Sequence, residues 1–274
     1  MNSNLGSIRR VVMKRAVSLV TMIMLVTVTV GCASVNRLRE AQDSFNQAAA
    51  AENTLRFDSL NPLQGGGSDT AATWSTSRNG YASALLSLEQ IDNNDKNQLR
   101  ADGLWGSALT LKALSQWRLG LFPKALATAS EAQKNSGDQI YPRDRAVLVA
   151  LPGLIKTDQA YDKILNKKPL VEVLDLLTGP SGSLVNIQNA RLTVDKDHPV
   201  QVYLIQAQLA AYRNFLVAQD RLNNHATIAA DDPARKNANE QLAELNRLLQ
   251  AQQPGPAAQA LIIYWVKLCA LDMP

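Results

Sequence analysis

Proline and glycine punctuate this chain at intervals that leave helix-length segments and little else between them. The stops fall in residues 60–68, 135–142, 166–169, 179–183, 195–199, 229–233 and 252–256. Pro123, Pro142, Pro169 and Pro199 each stand where a first helical turn tolerates a residue without an N–H. Between the stops, apolar residues recur at spacings of three and four, and no segment shows the two-residue alternation of a half-buried strand. The pattern predicts an all-α fold of nine or ten helices.

Particular segments sharpen that expectation. Residues 34–57 place Val35, Leu38, Phe45, Ala48, Glu52 and Leu55 at helical spacings, with the helix formers Ala48 to Ala51 in the middle. Pro62 and the triplet Gly65, Gly66 and Gly67 then break regular structure and predict a connector. A phosphate-cradling loop would need a following Lys-Ser/Thr or a preceding strand, and neither is there. Tyr81, Leu85 and Leu88 form the next stripe, and residues 97–118 a long second element. Val202, Ile205, Leu209, Tyr212 and Leu216 mark residues 200–222 as the central helix. Residues 237–250 and 257–271 close the fold. The last is apolar nearly all round and is expected to lie buried between other helices.

Charge is distributed unevenly. Of 28 basic residues, Arg9, Arg10, Lys14 and Arg15 fall within residues 1–31, which hold no acid, so that 24 basic face 24 acidic residues from Cys32 onward. A neutral remainder lacks the basic footprint of a general nucleic-acid binder. The formal net charge of +4 belongs to the N-terminal segment.

That segment has the build of a secretory signal peptide: a basic start, the uncharged residues 16–30, then Gly31, Cys32, Ala33 and Ser34. Thr29-Val30-Gly31-Cys32 resembles a bacterial lipobox, in which a small residue precedes a Cys that is diacylated on sulfur and becomes the new N-terminus. Thr29 stands where that family usually has Leu. The resemblance implies residues 1–31 as a signal peptide, Cys32 as the lipidation site, and anchoring by acyl chains at about 0.8 kcal/mol per buried methylene. It also implies outer-membrane sorting toward the periplasm, because Ala33 rather than Asp follows the Cys. The competing reading is an uncleaved membrane helix, since residues 16–36 carry no charge and approach the roughly 20 residues that span a bilayer. Ser18, Thr21, Thr27 and Thr29 make that run only moderately apolar, which favours the cleaved signal.

Once Cys32 is lipidated, Cys269 has no intramolecular disulfide partner. It ends an apolar helical segment and is expected to be a buried structural thiol.

Residues 106–139 look like one tetratricopeptide repeat, a 34-residue pair of antiparallel helices. Ala113, Gly120, Phe122, Ala125 and Ala132 match its small eighth, turn glycine, aromatic seventeenth, and small twentieth and twenty-seventh places. Lys112, Gln116 and Ala129 stand in place of larger apolar residues, and Gly137 in place of Pro. A second unit over residues 145–177 is offset by 46 residues rather than 34, so the expected architecture is an irregular solenoid of stacked antiparallel helical hairpins. The organisation expected is a signal peptide over residues 1–31, a lipid-anchored helix with its connector over 32–72, and a helical-hairpin domain over 73–274. By the repeat register, Ser107, Thr110, Leu114, Trp117 and Arg118 fall on the concave face, which in such repeats commonly holds a peptide or partner helix. Leu114 and Trp117 are also read as packing against the next helix pair, the commoner role of apolar and aromatic residues at helical spacing.

No catalytic template fits. His198 and His225 have no metal-ligand spacing, no Gly-x-Ser-x-Gly elbow is present, and Gly179-Pro180-Ser181-Gly182 has the wrong order. The cluster Asp92-Asn93-Asn94-Asp95 lacks the Gly and Glu of a calcium loop, with Gly103 at the twelfth place, and reads as an interhelix turn. The expectation is a periplasm-facing lipoprotein without cofactor, metal or nucleic-acid partner. It would be a non-catalytic scaffold or adaptor for an envelope protein or peptide, held to the membrane by lipidated Cys32. The competing functions are a solute-binding accessory of a transporter, with ligand near Trp117, and, from location alone, a cell-wall hydrolase.

Overall fold

A computed structural model describes residues 33–58, 69–135, 140–223 and 231–274. Every regular element in them is an α-helix, so the protein is all-α, with no strand among the described residues. The chain divides into two compact units, residues 1–140 and 141–274. The expected signal peptide over residues 1–31, Cys32 and the glycines of the expected connector, Gly65 to Gly67, lie outside the described residues.

The first unit holds α1 (Ala33–Asp58), α2 (Asp69–Glu89), α3 (Asn93–Ala101), α4 (Trp105–Arg118) and α5 (Phe122–Asn135). Helices α1 and α2 pack along their lengths as an antiparallel pair. Arg37 of α1 meets the Gln90 carbonyl just past α2, while Ser77 Oγ, a dozen residues earlier, donates to the Ala48 carbonyl at 3.1 Å. Leu38, Ala41 and Ala48 are buried on one side of this pair, and Tyr81, Ala84, Leu85 and Leu88 on the other. The helices approach closely at Gly80, where an added Cβ would stand 2.8 Å from Ala48 Cβ.

The single element expected over residues 97–118 is instead two helices, α3 and α4. Gly103, at φ +71°, ends α3 in a left-handed turn closed by Gly103 N–H to the Arg100 carbonyl and Leu104 N–H to the Leu99 carbonyl at 2.7 Å. Gly120, at φ +76°, repeats that device after α4, with Leu121 N–H donating to the Gln116 carbonyl at 2.8 Å. The short turn folds α5 back on α4. Ala113, Ala125 and Ala132 are fully buried in this unit, and Thr128 Oγ1 donates to Gln116 Oε1 at 2.8 Å between the two helices.

The second unit holds α6 (Pro142–Leu165), α7 (Leu170–Thr178), α8 (Ser183–Arg191), α9 (Val200–Leu222), α10 (Pro233–Gln252) and α11 (Pro256–Cys269). Helix α9 is its axis, as the periodicity of residues 200–222 predicts. One set of its side chains, Val202, Ile205, Leu209 and Tyr212, packs with Leu242, Leu245, Leu248, Leu249, Ile262 and Trp265. Another, Ala211 and Ala218, packs with Ala160, Ile164, Val173 and Leu177. Each fully buried Leu or Ile contributes about 1.5–3 kcal/mol, so this double-faced burial stabilises the unit without a disulfide.

Helix α11 corrects an expectation. Only the stripe Ala258, Ile262, Trp265 and Cys269 is buried, while Ile263 is 37% exposed. Its apolar residues exceed what α9 and α10 cover, so it lies on the unit's surface rather than between other helices.

Candidate functional site

The five residues expected on the partner-binding face share one side of α4 and divide by burial. Thr110 and Trp117 are buried, whereas Ser107, Leu114 and Arg118 are partly exposed. Thr110 Oγ1 satisfies itself locally by donating to the Gly106 carbonyl at 2.9 Å. Trp117 is only 5% exposed and serves as a platform: the Arg118 guanidinium carbon sits 3.9 Å from its ring centroid. Thr110 and Trp117 thus belong to the packing of the first unit itself.

Arg118 leads to a site that motif reasoning missed. Its guanidinium lies 3.2 Å from Glu52 Oε1 on α1, and Tyr81 of α2 donates its phenol proton to Glu52 Oε2 at 2.7 Å. Phe45 meets Tyr81 edge-on at 5.1 Å between centroids. Glu52 is 6% exposed, and donors from two other helices meet both of its oxygens, which offsets the cost of burying it. The available signal was an acid on the apolar stripe of α1. Chemically the cluster is a clasp joining α1, α2 and α4, since both carboxylate oxygens are engaged.

Near the α2–α3 connection, a cavity of about 100 Å³ lies among Leu88, Ile91, Lys96, Trp105, Leu109 and Lys112. That is below the roughly 300–1,000 Å³ of small-molecule sites.

In the second unit, the loop at residues 179–183 meets α6. Lys156 Nζ donates to the Ser181 carbonyl and lies 3.1 Å from Ser181 Oγ. Acting as a base would require a lysine lone pair directed at the hydroxyl. Here the ammonium is bound to the backbone of the same serine and braces the loop. Asn214 of α9 donates to the Thr157 carbonyl at 3.0 Å, and Thr157 Oγ1 shares a hydrogen bond with Ser183 Oγ. Gly153 sits against this loop, where a Cβ would be 2.8 Å from the Ser183 carbonyl oxygen.

Arg191, at the end of α8, is surrounded by glutamines. It donates to Gln201 Oε1 at 3.0 Å, to Gln208 Oε1 at 2.6 Å and to Gln241 Oε1, while Gln208 Nε2 donates to Gln188 Oε1 at 3.0 Å. Burial lowers the Arg191 guanidinium from its ordinary value, and the more distant Glu244 carboxylate opposes that. Glu244 itself is held below the usual carboxylate range by its hydrogen bond from Arg247, which also pairs with Asp197 at 2.9 Å. These contacts join α8, α9 and α10.

The remaining polar motifs are structural where they are described. His198 Nδ1 accepts from the Val200 N–H at 3.2 Å, and Asp92 Oδ1 caps α3 by accepting from the Asp95 N–H at 2.8 Å. His225 lies outside the described residues. Among the described residues, no group of three or more His, Cys, Asp or Glu side chains could hold a metal ion, and no helix is long and apolar enough to cross a membrane. Cys269 is buried, with Sγ 3.7 Å from the Leu209 carbonyl oxygen, and burial pushes its thiol up to about 12.

No family model, curated protein or solved structure matches the chain.

Proposed function

We propose that the protein is a periplasm-facing lipoprotein, anchored through lipidated Cys32 and sorted to the outer membrane, whose helical units act as a non-catalytic scaffold or adaptor for an envelope protein or peptide. The observation that carries the reading is the lipobox-like Thr29-Val30-Gly31-Cys32 after a basic and then uncharged stretch; the residue that follows it, Ala33, already belongs to α1. Helix α1 is clasped into the first unit through Glu52, Tyr81 and Arg118. A lipid on Cys32 therefore holds a folded helical body at the membrane.

The partner side of the reading rests on α4 and α5, which we take as a hairpin of tetratricopeptide type. Ser107, Leu114 and Arg118 keep part of their surface open and form the proposed contact, with Thr110 and Trp117 beneath them supporting its shape.

In-cell crosslinking of the full-length protein from Ser107 and Leu114, with Cys32→Ala as the mislocalised control, tests the proposal. One or two envelope proteins crosslinked reproducibly and lost in the control are the expected result. An anchored, abundant protein that crosslinks to nothing specific contradicts the adaptor role.

A further inference from the structure

We propose that the first unit stands directly on the bilayer, with the first turn of α1 and the α2–α3 connection against phospholipid headgroups. This rests on the lipoprotein reading above and adds an orientation to it.

The geometry begins with the absence of a spacer. If Cys32 carries the acyl chains, the next residue, Ala33, already lies within α1, so the turn that follows the lipid is confined to the headgroup layer. The antiparallel course of α2 then brings the α2–α3 connection to the same end. Arg37, one turn into α1, donates to the Gln90 carbonyl and pairs with Asp95 of α3 at 2.8 Å. A membrane that meets residue 33 therefore also meets residues 89–94, where Glu89, Gln90, Asp92, Asn93 and Asn94 are all exposed.

Two further observations oppose a helix lying flat. A flat interfacial helix needs an apolar face free for lipid. In α1, Leu38, Ala41 and Ala48 are buried within the unit, and the exposed side carries Asn36, Arg39, Glu40, Asp43 and Gln47. The Glu52–Arg118 pair also places the end of α4 about 22 Å along α1 from Arg37, at 1.5 Å per residue. The turn at Gly120 and the start of α5 accordingly lie well away from the headgroups. The contact surface mixes Arg37, Arg39 and Lys96 with Glu40, Glu89, Asp92 and Asp95, so the lipid rather than net charge holds it down.

The test uses full-length lipidated protein reconstituted in phosphatidylcholine vesicles containing headgroup-spin-labelled lipid. A fluorophore is placed on Asn94→Cys or, separately, on Lys124→Cys, both exposed positions, while buried Cys269 is shielded from labelling. The expected result is quenching several-fold stronger at Asn94→Cys than at Lys124→Cys, unchanged by added salt. Equal strong quenching at both positions would mean a unit lying flat, and weak quenching at both would mean a unit held away from the surface; either overturns the orientation while leaving the anchor intact. An unacylated Cys32 peptide in the mass spectrum of the same preparation would overturn the lipoprotein reading and the orientation with it.

Discussion

The Arg118 guanidinium and the Glu52 carboxylate meet at 3.2 Å across 66 residues of sequence, and Tyr81 shares the same carboxylate from a third helix. Removing Glu52 leaves a guanidinium and a phenol without this acceptor. Because Arg118 keeps some solvent and its stacking on Trp117, Glu52→Ala is expected to cost the first unit about 2–3 kcal/mol. Glu52→Gln, which retains an acceptor for Tyr81, should cost less. Chemical denaturation followed by tryptophan fluorescence measures both, and equal losses would show that the neutral acceptor contributes nothing and that the carboxylate charge carries the whole effect.

Gly80 sets how closely α1 and α2 approach. An added Cβ would be 2.8 Å from Ala48 Cβ and 3.0 Å from the Ser44 carbonyl oxygen, so a larger side chain must push the helices apart. Gly80→Leu is expected to destabilise by about 1–3 kcal/mol despite the better helix propensity of leucine. Ala48→Gly in the same background should restore part of the loss, as read from denaturation midpoints.

Arg191 is bound to neutral amides at several points rather than to one carboxylate. A lysine offers a single point of attachment and cannot span Gln201, Gln208 and Gln241 together. Arg191→Lys should therefore lower the melting temperature almost as much as Arg191→Ala. Full rescue by lysine would show that charge alone matters at this position.

Cys269 and Tyr212 make the second unit sensitive to alkali. Burial pushes the Cys269 thiol from 9.0 up to about 12 and raises the Tyr212 phenol above its ordinary 10.0. Both groups are neutral when protonated and ionise more readily in the unfolded chain. Their stabilising effect is complete below pH 9.0 and is lost as the pH rises toward 12. Unfolding midpoints should fall across that window, with a shallower slope in Cys269→Ala. In the folded protein at about pH 8, alkylating reagents should leave Cys269 unmodified until denaturant is added.

The elements most legible in the sequence are those whose stop is chemically unusual. Gly120 announces its left-handed turn because glycine adopts positive φ without strain. Lys167 at φ 52° and Ala270 at φ 51° adopt the same conformation without announcing it, each followed by a helix-closing bond, Lys168 N–H to the Lys163 carbonyl and Leu271 N–H to the Val266 carbonyl, both at 2.9 Å. Gly103 was present in the segment read as one helix, but a lone glycine is also tolerated inside a helix, and only the observed φ separates the cases. The α9 axis was visible because one apolar stripe, Val202, Ile205, Leu209, Tyr212 and Leu216, repeats over about four turns, whereas its second packing face, at Ala211 and Ala218, gave no such pattern. Burial of α11 was overestimated because hydrophobicity reports what a helix could bury, not how much neighbouring surface is there to cover it.

Site chemistry was less legible, for a physical reason. The Glu52 clasp and the Arg191 cluster are assembled from residues tens of positions apart on three helices each, and such pairings leave no spacing in the linear chain. Trp117 shows the complementary problem. Its position on the α4 face follows from the repeat-like register, but its burial is decided by the packing of the first unit as a whole.

The account depends most directly on Cys32, and the mass of the N-terminal peptide from protein purified from its host's membranes tests it. The account predicts a peptide that begins at Cys32 and carries a diacylglyceryl group, with Cys32→Ala released from the membrane fraction. A mature chain that retains residues 1–31, or that begins elsewhere with an unmodified Cys32, would contradict it.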